Sequence, residues 1–311
     1  MDLGLSGKRA LVTGGSRGVG KAVARELARE GVAVAICARD GKAAEAAAAE
    51  LSAETAQNSG RVIAFRADTG KEADVKRLVA DAAEALGGLD ILVNNAAILR
   101  DAFIFKGDPG DWDAVVRNNL SAAYYLTQSA TQAMRAQFKA GRGDGDSYGW
   151  GRIVNIISTA GIYGNYGQAS YGAAKGGLIA LMRVTALEMA RSAVTCNAVA
   201  PFAHTRVTDT IKPANDEQAS YKERAMKVSP DHVARFVNYL CLPAARDVSG
   251  QIFGVRGREI FLFSQPRPIA FLTGESEDWQ PESIARAMGP MSEKFTELAT
   301  DLEAFNSEPI V

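Results

Sequence analysis

Sulfur, imidazole and excess charge are all scarce in this chain of 311 residues. Its three cysteines, Cys37, Cys196 and Cys241, have no paired spacing and stand in or beside apolar runs. They read as reduced core thiols, which excludes a disulfide framework. The two histidines, His204 and His232, have no Cys or His nearby, so no metal site is expected. Thirty-five basic against thirty-six acidic side chains leave a formal net charge of −1, too little to recruit nucleic acid or an anionic membrane. No apolar run approaches the roughly 18 residues of a membrane span, and the segment from Met1 to Ser6 lacks the basic and apolar regions of a leader. The expectation is a soluble, cytoplasmic protein.

What is present is a repeated alternation of short apolar runs and helical patterns. Lys8 to Thr13 reads as a strand, and Gly14-Gly-Ser-Arg-Gly18-Val-Gly20 follows before a helix from Lys21 to Glu30. Strand, glycine turn and helix form the context of a phosphate cradle: Gly14 for the tight turn, Gly18 for close backbone approach, Gly20 for helix packing. Val32 to Cys37 is a second strand that ends in Ala38-Arg39-Asp40. Arg39 and Arg17 together favour a dinucleotide with a 2′-phosphate, whereas Asp40 on the ribose hydroxyls favours the unphosphorylated one.

Further strands are expected at Arg61–Arg66, Leu89–Val93, Arg152–Ile157, Val194–Val199 and Gln251–Val255, with helices at 41–57, 71–86, 111–138, 168–191 and 231–240. Asp68 and Thr69 after the third strand suit either an adenine contact or a helix cap. Asn94 and Asn95 after the fourth either brace the sheet edge or form a simple turn. Asn119 lies inside a helical pattern, where an amide has no propensity reason to be; it can hold a water or kink the helix. Gly141 to Gly149 reads as a surface loop, and Pro201 to Ser229 as an aperiodic polar lid. Beyond it, Glu259–Phe263 and Ile269–Leu272 read as extra strands, and Pro281–Met288 and Met291–Phe305 as short helices.

The chemistry-bearing stretch runs from Ser158 to Lys175. A helix through Tyr171 puts Lys175 four residues on, so phenol and ammonium share a face, and Ser158 falls where a strand ends. A phenol starts near pKa 10, and a neighbouring ammonium in a dry site is expected to lower it toward about 7. A lone Tyr-x-x-x-Lys is also what any solvent-facing helix offers.

Taken together, Thr13-Gly14-x-x-x-Gly18-x-Gly20, Asp68, Asn94-Asn95-Ala96, Asn119, Ser158, Tyr171, Lys175, Asn197 and Pro201 resemble the short-chain dehydrogenase/reductase family over residues 5 to 257. The resemblance implies a Rossmann-type doubly wound parallel α/β sheet flanked by helices, residues 1–257, with a C-terminal extension, 258–311, packed on it or on a neighbouring subunit. It implies an NAD(P)-dependent oxidoreductase with Asn119, Ser158, Tyr171 and Lys175 as the catalytic set. The implied dinucleotide cradle is Gly14, Ser16, Arg17, Gly18, Val19 and Gly20, continued by Arg39, Asp68, Thr69, Asn95, Ala96, Tyr171, Lys175, Pro201 and Thr205. NADP(H) is expected over NAD(H).

Ile98–Asp101, Gly161–Gln168 and Ala200–Thr208 are similar to the (3R)-hydroxyacyl-CoA dehydrogenase module of peroxisomal multifunctional enzymes, which implies a 3-hydroxyacyl-CoA or 3-ketoacyl-thioester substrate. Phe202, where the family usually has Gly, is expected to reshape the floor of the substrate site. A bulky cyclic or steroidal alcohol and a non-catalytic dinucleotide-binding regulator are the alternatives. The family resemblance also implies a homodimer or homotetramer joined through the two long helices, with Ala169, Gly172, Ala173, Gly176 and Gly177 allowing close approach.

Overall fold

The computed structural model describes residues 3–58, 60–141, 151–203, 216–274, 279–305 and 307–311. Eight strands form one sheet in the order β3-β2-β1-β4-β5-β6-β7-β8. They are β1 (Arg9–Thr13), β2 (Ala33–Ala38), β3 (Arg61–Arg66), β4 (Ile91–Asn94), β5 (Gly151–Ile156), β6 (Val194–Phe202), β7 (Ile252–Arg256) and β8 (Glu259–Phe263). All neighbours are parallel except β8, which turns back antiparallel on β7. The helices are α1 (Gly18–Arg29), α2 (Gly41–Thr55), α3 (Glu72–Leu86), α4 (Pro109–Val116), α5 (Ala122–Lys139), α6 (Ala169–Met189), α7 (Asp216–Met226), α8 (Pro230–Cys241), α9 (Pro281–Ser292) and α10 (Asp301–Ala304).

Period-two alternation decides which core each strand residue enters. In β1, Ala10 and Val12 join Leu27 of α1 and Val237 of α8 on one face, while Leu11 joins Leu78 of α3, Leu126 of α5 and Met182 of α6 on the other. Both faces are covered, so the central strands send apolar side chains to both sides rather than alternating apolar with exposed polar ones. Strand order reverses between β1 and β4, and the crevice there opens at the carboxyl ends of the strands.

The opposite end is pinned by a buried acid. Asp90 accepts from the Arg9 backbone N–H at 3.0 Å, from Arg9 Nε at 2.6 Å and from its terminal guanidinium nitrogen at 2.7 Å. Gln137 of α5 exchanges two 2.7 Å bonds with the backbone of Leu89 beside it. The amino ends of β1 and β4 are thus fixed, and the carboxyl ends are left for chemistry.

Several expected elements differ. The long helix expected over 111–138 is α4 and α5 joined by one π turn, Arg117–Ser121, which contains Asn119. No strand forms over Ile269–Leu272: Pro266 and Pro268 remove donors before it, and Ile269 and Phe271 stand 78% and 86% exposed. The helix expected over 291–305 is interrupted, because Thr300 and Glu303 make a capping box that starts α10 afresh. Within the stretch read as aperiodic, α7 forms. The glycine-rich loop at 141–149 lies, after Gly141, outside the described residues.

Replacing Asp90 with Ala strands the Arg9 guanidinium and should cost about 3 kcal/mol. Urea denaturation measures it, with a loss below about 1 kcal/mol contradicting the pinning role.

Candidate active site

Tyr171 and Lys175 project from one face of α6 and are only 8% and 2% exposed. The Lys175 ammonium donates to the Ile156 carbonyl at 2.7 Å and lies 5.6 Å from the centre of the Tyr171 ring. Ser158 follows β5 and caps the short turn Thr159–Gly161, its Oγ accepting from the Ala160 N–H at 3.2 Å. The same hydroxyl hydrogen-bonds the Tyr171 phenol. Phenol, hydroxyl and ammonium therefore converge at the carboxyl edge of β5.

Glycines make that convergence possible. A Cβ at Gly161 would overlap the backbone of Lys175 and Gly176, and one at Gly172 would press on the Ala160 carbonyl at 3.0 Å. Gly172 and Gly176 thus serve the contact between α6 and this turn, and Gly177 accommodates Leu120. The small-residue stripe expected to admit a second subunit is in good part used within the chain.

The electrostatics differ from the sequence expectation. Burial pushes the Tyr171 phenol up to about 12; the Ser158 hydrogen bond pulls the other way, and the charges of Asp101 and Asp301 reinforce burial. Burial likewise pushes the Lys175 ammonium down to about 8. Lys175 is not among the groups that lower the phenol in the protein alone.

Asn119 is buried in the π turn, and its amide is committed to the backbone beyond β4. Oδ1 accepts from the Ile98 N–H at 2.8 Å and Nδ2 donates to the Ile98 carbonyl at 2.9 Å. The side chain thus holds that loop. Beside it is a polar cavity of about one water's size, lined among others by Thr13, Thr69, Asn94, Asn119 and Lys175.

The glycine turn has the backbone of a phosphate cradle. Gly14 and Gly18 have φ of +64° and +56°, which disfavour any side chain, and a Cβ at Gly20 would overlap the Gly14 carbonyl and the Asn95 amide. α1 begins at Gly18, with Arg17 extended at its N-cap and making no capping bond with its own side chain. The start of α1 carries free N–H groups and a positive dipole end, as a pyrophosphate requires. Ser16 is half-buried and Val19 buried under the turn. The residues fit a dinucleotide.

Thr13 organises the neighbouring loop. Its hydroxyl donates to the Val93 carbonyl and accepts from the N–H groups of Asn95 and Ala96, while Asn95 Nδ2 donates back to the Thr13 carbonyl at 2.8 Å. Asn94 reaches sideways to Asn155 and Thr127. Arg17 and Arg39 are exposed at the same edge. Asp40 caps α2, accepting from the Ala43 N–H at 3.2 Å. Asp68 Oδ1 accepts from the Gly70 N–H, so it ties its own turn; the N-cap of α3 is Lys71. Thr69 is buried at the cavity, and Pro201 lies in β6 paired with Val255. Thr205 lies outside the described residues.

Sequence reading missed Thr159, Asp101 and Asp301. Asp101, at the rim, accepts from Gln168 Nε2 at 3.3 Å. Burial pushes all three cysteine thiols up, so none is poised as a nucleophile. Among the described residues no group of three or more His, Cys, Asp or Glu is placed to hold a metal ion.

With that geometry in place, residues 8–219 match the short chain dehydrogenase family, and the chain belongs to it. It is an oxidoreductase acting on hydroxyl and keto groups, in a family that uses NAD(P). The chain is 37% identical over 289 residues to hydroxyacyl-CoA dehydrogenase ChsB1 of Mycobacterium tuberculosis, covering 91% of this chain and 88% of that protein. It is 37% identical over 256 residues to a 3-oxoacyl-[acyl-carrier-protein] reductase of Synechocystis, covering 81% and 97%. A crystal structure of a short chain dehydrogenase from Mycobacterium avium superposes with a TM-score of 0.80 at 29% identity, over 95% of this chain and 98% of that one.

Lys175 has a folded pKa of about 8, below the ordinary 10.5, so the unfolded chain binds more protons between those values and stability rises with pH across that window. Below it the buried ammonium opposes folding in full. Lys175→Met should therefore raise stability near neutral pH by about 2 kcal/mol, with the gain fading as pH approaches 10.5. Urea denaturation at both ends of the window tests this; a less stable variant at neutral pH contradicts it.

Proposed function

We propose that this chain is an NADP(H)-preferring reductase of 3-ketoacyl thioesters, running equally as a 3-hydroxyacyl-CoA dehydrogenase. The observation that carries the reading is the convergence of Ser158, Tyr171 and Lys175 at the carboxyl edge of β5. The thioester assignment draws on the names of the relatives, which are a hydroxyacyl-CoA dehydrogenase and an oxoacyl carrier-protein reductase.

In the reducing direction Tyr171 gives its proton to the substrate oxygen, and the Ser158 O–H donates to the same atom. A phenol held protonated by burial suits that task. Lys175, with a pKa of about 8, gains and loses its proton near neutral pH and can return a proton to the Tyr171 side of α6, while its other face borders the small cavity shared with Thr13 and Asn119. Asn119 keeps the Ile98 loop in place as one wall. The dinucleotide, when bound, supplies the hydride that the substrate carbon receives. Gly14 to Gly20 and the start of α1 would hold its phosphates, and Thr13, Asn95 and Ala96 would keep that turn in register.

NADP(H) is favoured because the Asp40 carboxylate is engaged as a helix cap, leaving Arg39 and Arg17 as the charged groups at the tip of β2 and the turn. The aromatic set of Phe202, Phe261, Phe263 and Phe305 beside the site keeps a bulky cyclic alcohol as the second reading. Trp112, Tyr124, Val184 and Leu187 leave apolar surface on α4, α5 and α6, which favours a homodimer or homotetramer built on those helices. No helix among the described residues is long and apolar enough to cross a membrane, and a cytoplasmic location is proposed.

Tyr171→Phe should lower kcat on acetoacetyl-CoA by about 10³-fold while NADPH still binds. Near-normal kcat would sink the assignment, and activity on cyclic or steroid ketones without any on the thioester would move the substrate to the second reading. Arg39→Ala should cut the preference for NADPH over NADH, as a ratio of kcat/KM values, by about tenfold or more; an unchanged ratio would remove Arg39 from cofactor choice.

A further inference from the structure

The tail brings a buried acid to the catalytic turn. Asp301 opens α10 and is 6% exposed; its Oδ2 accepts from the Thr159 hydroxyl, itself 4% exposed, at 2.8 Å. Thr159 directly follows Ser158 and begins the turn that Ser158 caps. That turn is gripped from one side by α6, through Gly161 against Lys175, and from another by this carboxyl group.

The acid is held there by a built anchor. The Arg256 guanidinium, 7% exposed as a residue, is paired with Glu259 and donates to the carbonyls of Phe305 and Ser307 at 3.1 and 3.0 Å and to the Ser307 hydroxyl at 2.9 Å. The Phe305 ring sits against Phe202 at 4.6 Å, Phe261 at 5.3 Å and Tyr163 at 5.8 Å. Burying a carboxyl group is costly, and an apolar side chain would fill the place without that penalty. The position therefore calls for a reason beyond packing.

We propose that Asp301 is a positioning residue of the active site: bonded to Thr159 and held by the anchored tail, it fixes the turn that presents Ser158 and brings a carboxylate within coulombic reach of Tyr171. The proposal rests on the reading of Tyr171 as the proton donor. Among the described residues, the charged groups that act on the phenol besides its burial are Lys175 on its own helix, Asp101 on the loop after β4 and Asp301 on the tail. Lys175 in its charged form favours the phenolate, and the two acids oppose it.

Asp301→Asn retains an acceptor for the Thr159 hydroxyl and removes only the charge. The pH profile of kcat/KM for alcohol oxidation should move to lower pH, with at least a threefold gain in rate on its acid limb. Phe305→Ala, which loosens the anchor that holds Asp301 in place, should raise KM for the thioester and move the profile in the same direction by a smaller amount. Thr159→Val should lower kcat several-fold by freeing the turn. A profile for Asp301→Asn that superimposes on the parent's overturns the proposal. If the parent turns over no substrate, the Tyr171 ionisation is followed instead by carbon-13 NMR of tyrosine-labelled protein; a lower phenol pKa in Asp301→Asn sustains the charge effect although the catalytic reading has failed, and an unchanged one ends both. If Asp301→Asn does not fold, Asp301→Ser takes its place under the same criteria.

Discussion

The bond from the Lys175 ammonium to the Ile156 carbonyl is the contact on which the site depends. It fastens α6 to the last residue of β5, and by doing so it fixes where Tyr171 meets Ser158. The close approach needs glycine at 161 and 172, since a side chain at either would push the helix and the turn apart. Burying an ammonium so that it makes one backbone bond opposes stability, and the fold accommodates it through extensive apolar cores on both sheet faces. This is a local departure from the best-packed solution, of the kind expected where chemistry is done.

The rest of the molecule can be understood as holding that edge still. Asp90 and Arg9 lock the amino ends of β1 and β4, so the crevice between those strands opens only at their carboxyl ends. Thr13 then links β1, β4 and the loop carrying Asn95 and Ala96 with one hydroxyl. β8 extends the sheet and leads into a tail whose α10 returns to the turn after Ser158. A sequence separation of 142 residues between Thr159 and Asp301 is thereby closed across the active edge.

How much of this was legible in the sequence follows from the range of each interaction. The glycine turn and the Tyr171–Lys175 spacing could be read because strand, turn and helix geometry act over a few residues. The alternation of apolar runs gave the parallel sheet for the same reason. The partners of Asn119 and Asp301 could not be read, since a pattern does not say which distant backbone or hydroxyl a polar side chain will meet. The apolar run at 269–272 suggested a strand, yet a strand needs a neighbour, and two prolines precede it. The direction of the Tyr171 shift depends on burial, which the Tyr171–Lys175 spacing does not show.

The central claim is that burial and the acids at 101 and 301 keep the Tyr171 phenol protonated in the protein alone, so that it serves as a proton donor at neutral pH. The most direct test is the carbon-13 shift of the Tyr171 ζ-carbon, assigned by difference from Tyr171→Phe and followed against pH without dinucleotide. The account predicts a phenol that stays protonated through pH 10, below its value of about 12. A midpoint near the about 7 expected from an ammonium-activated tyrosine would contradict it.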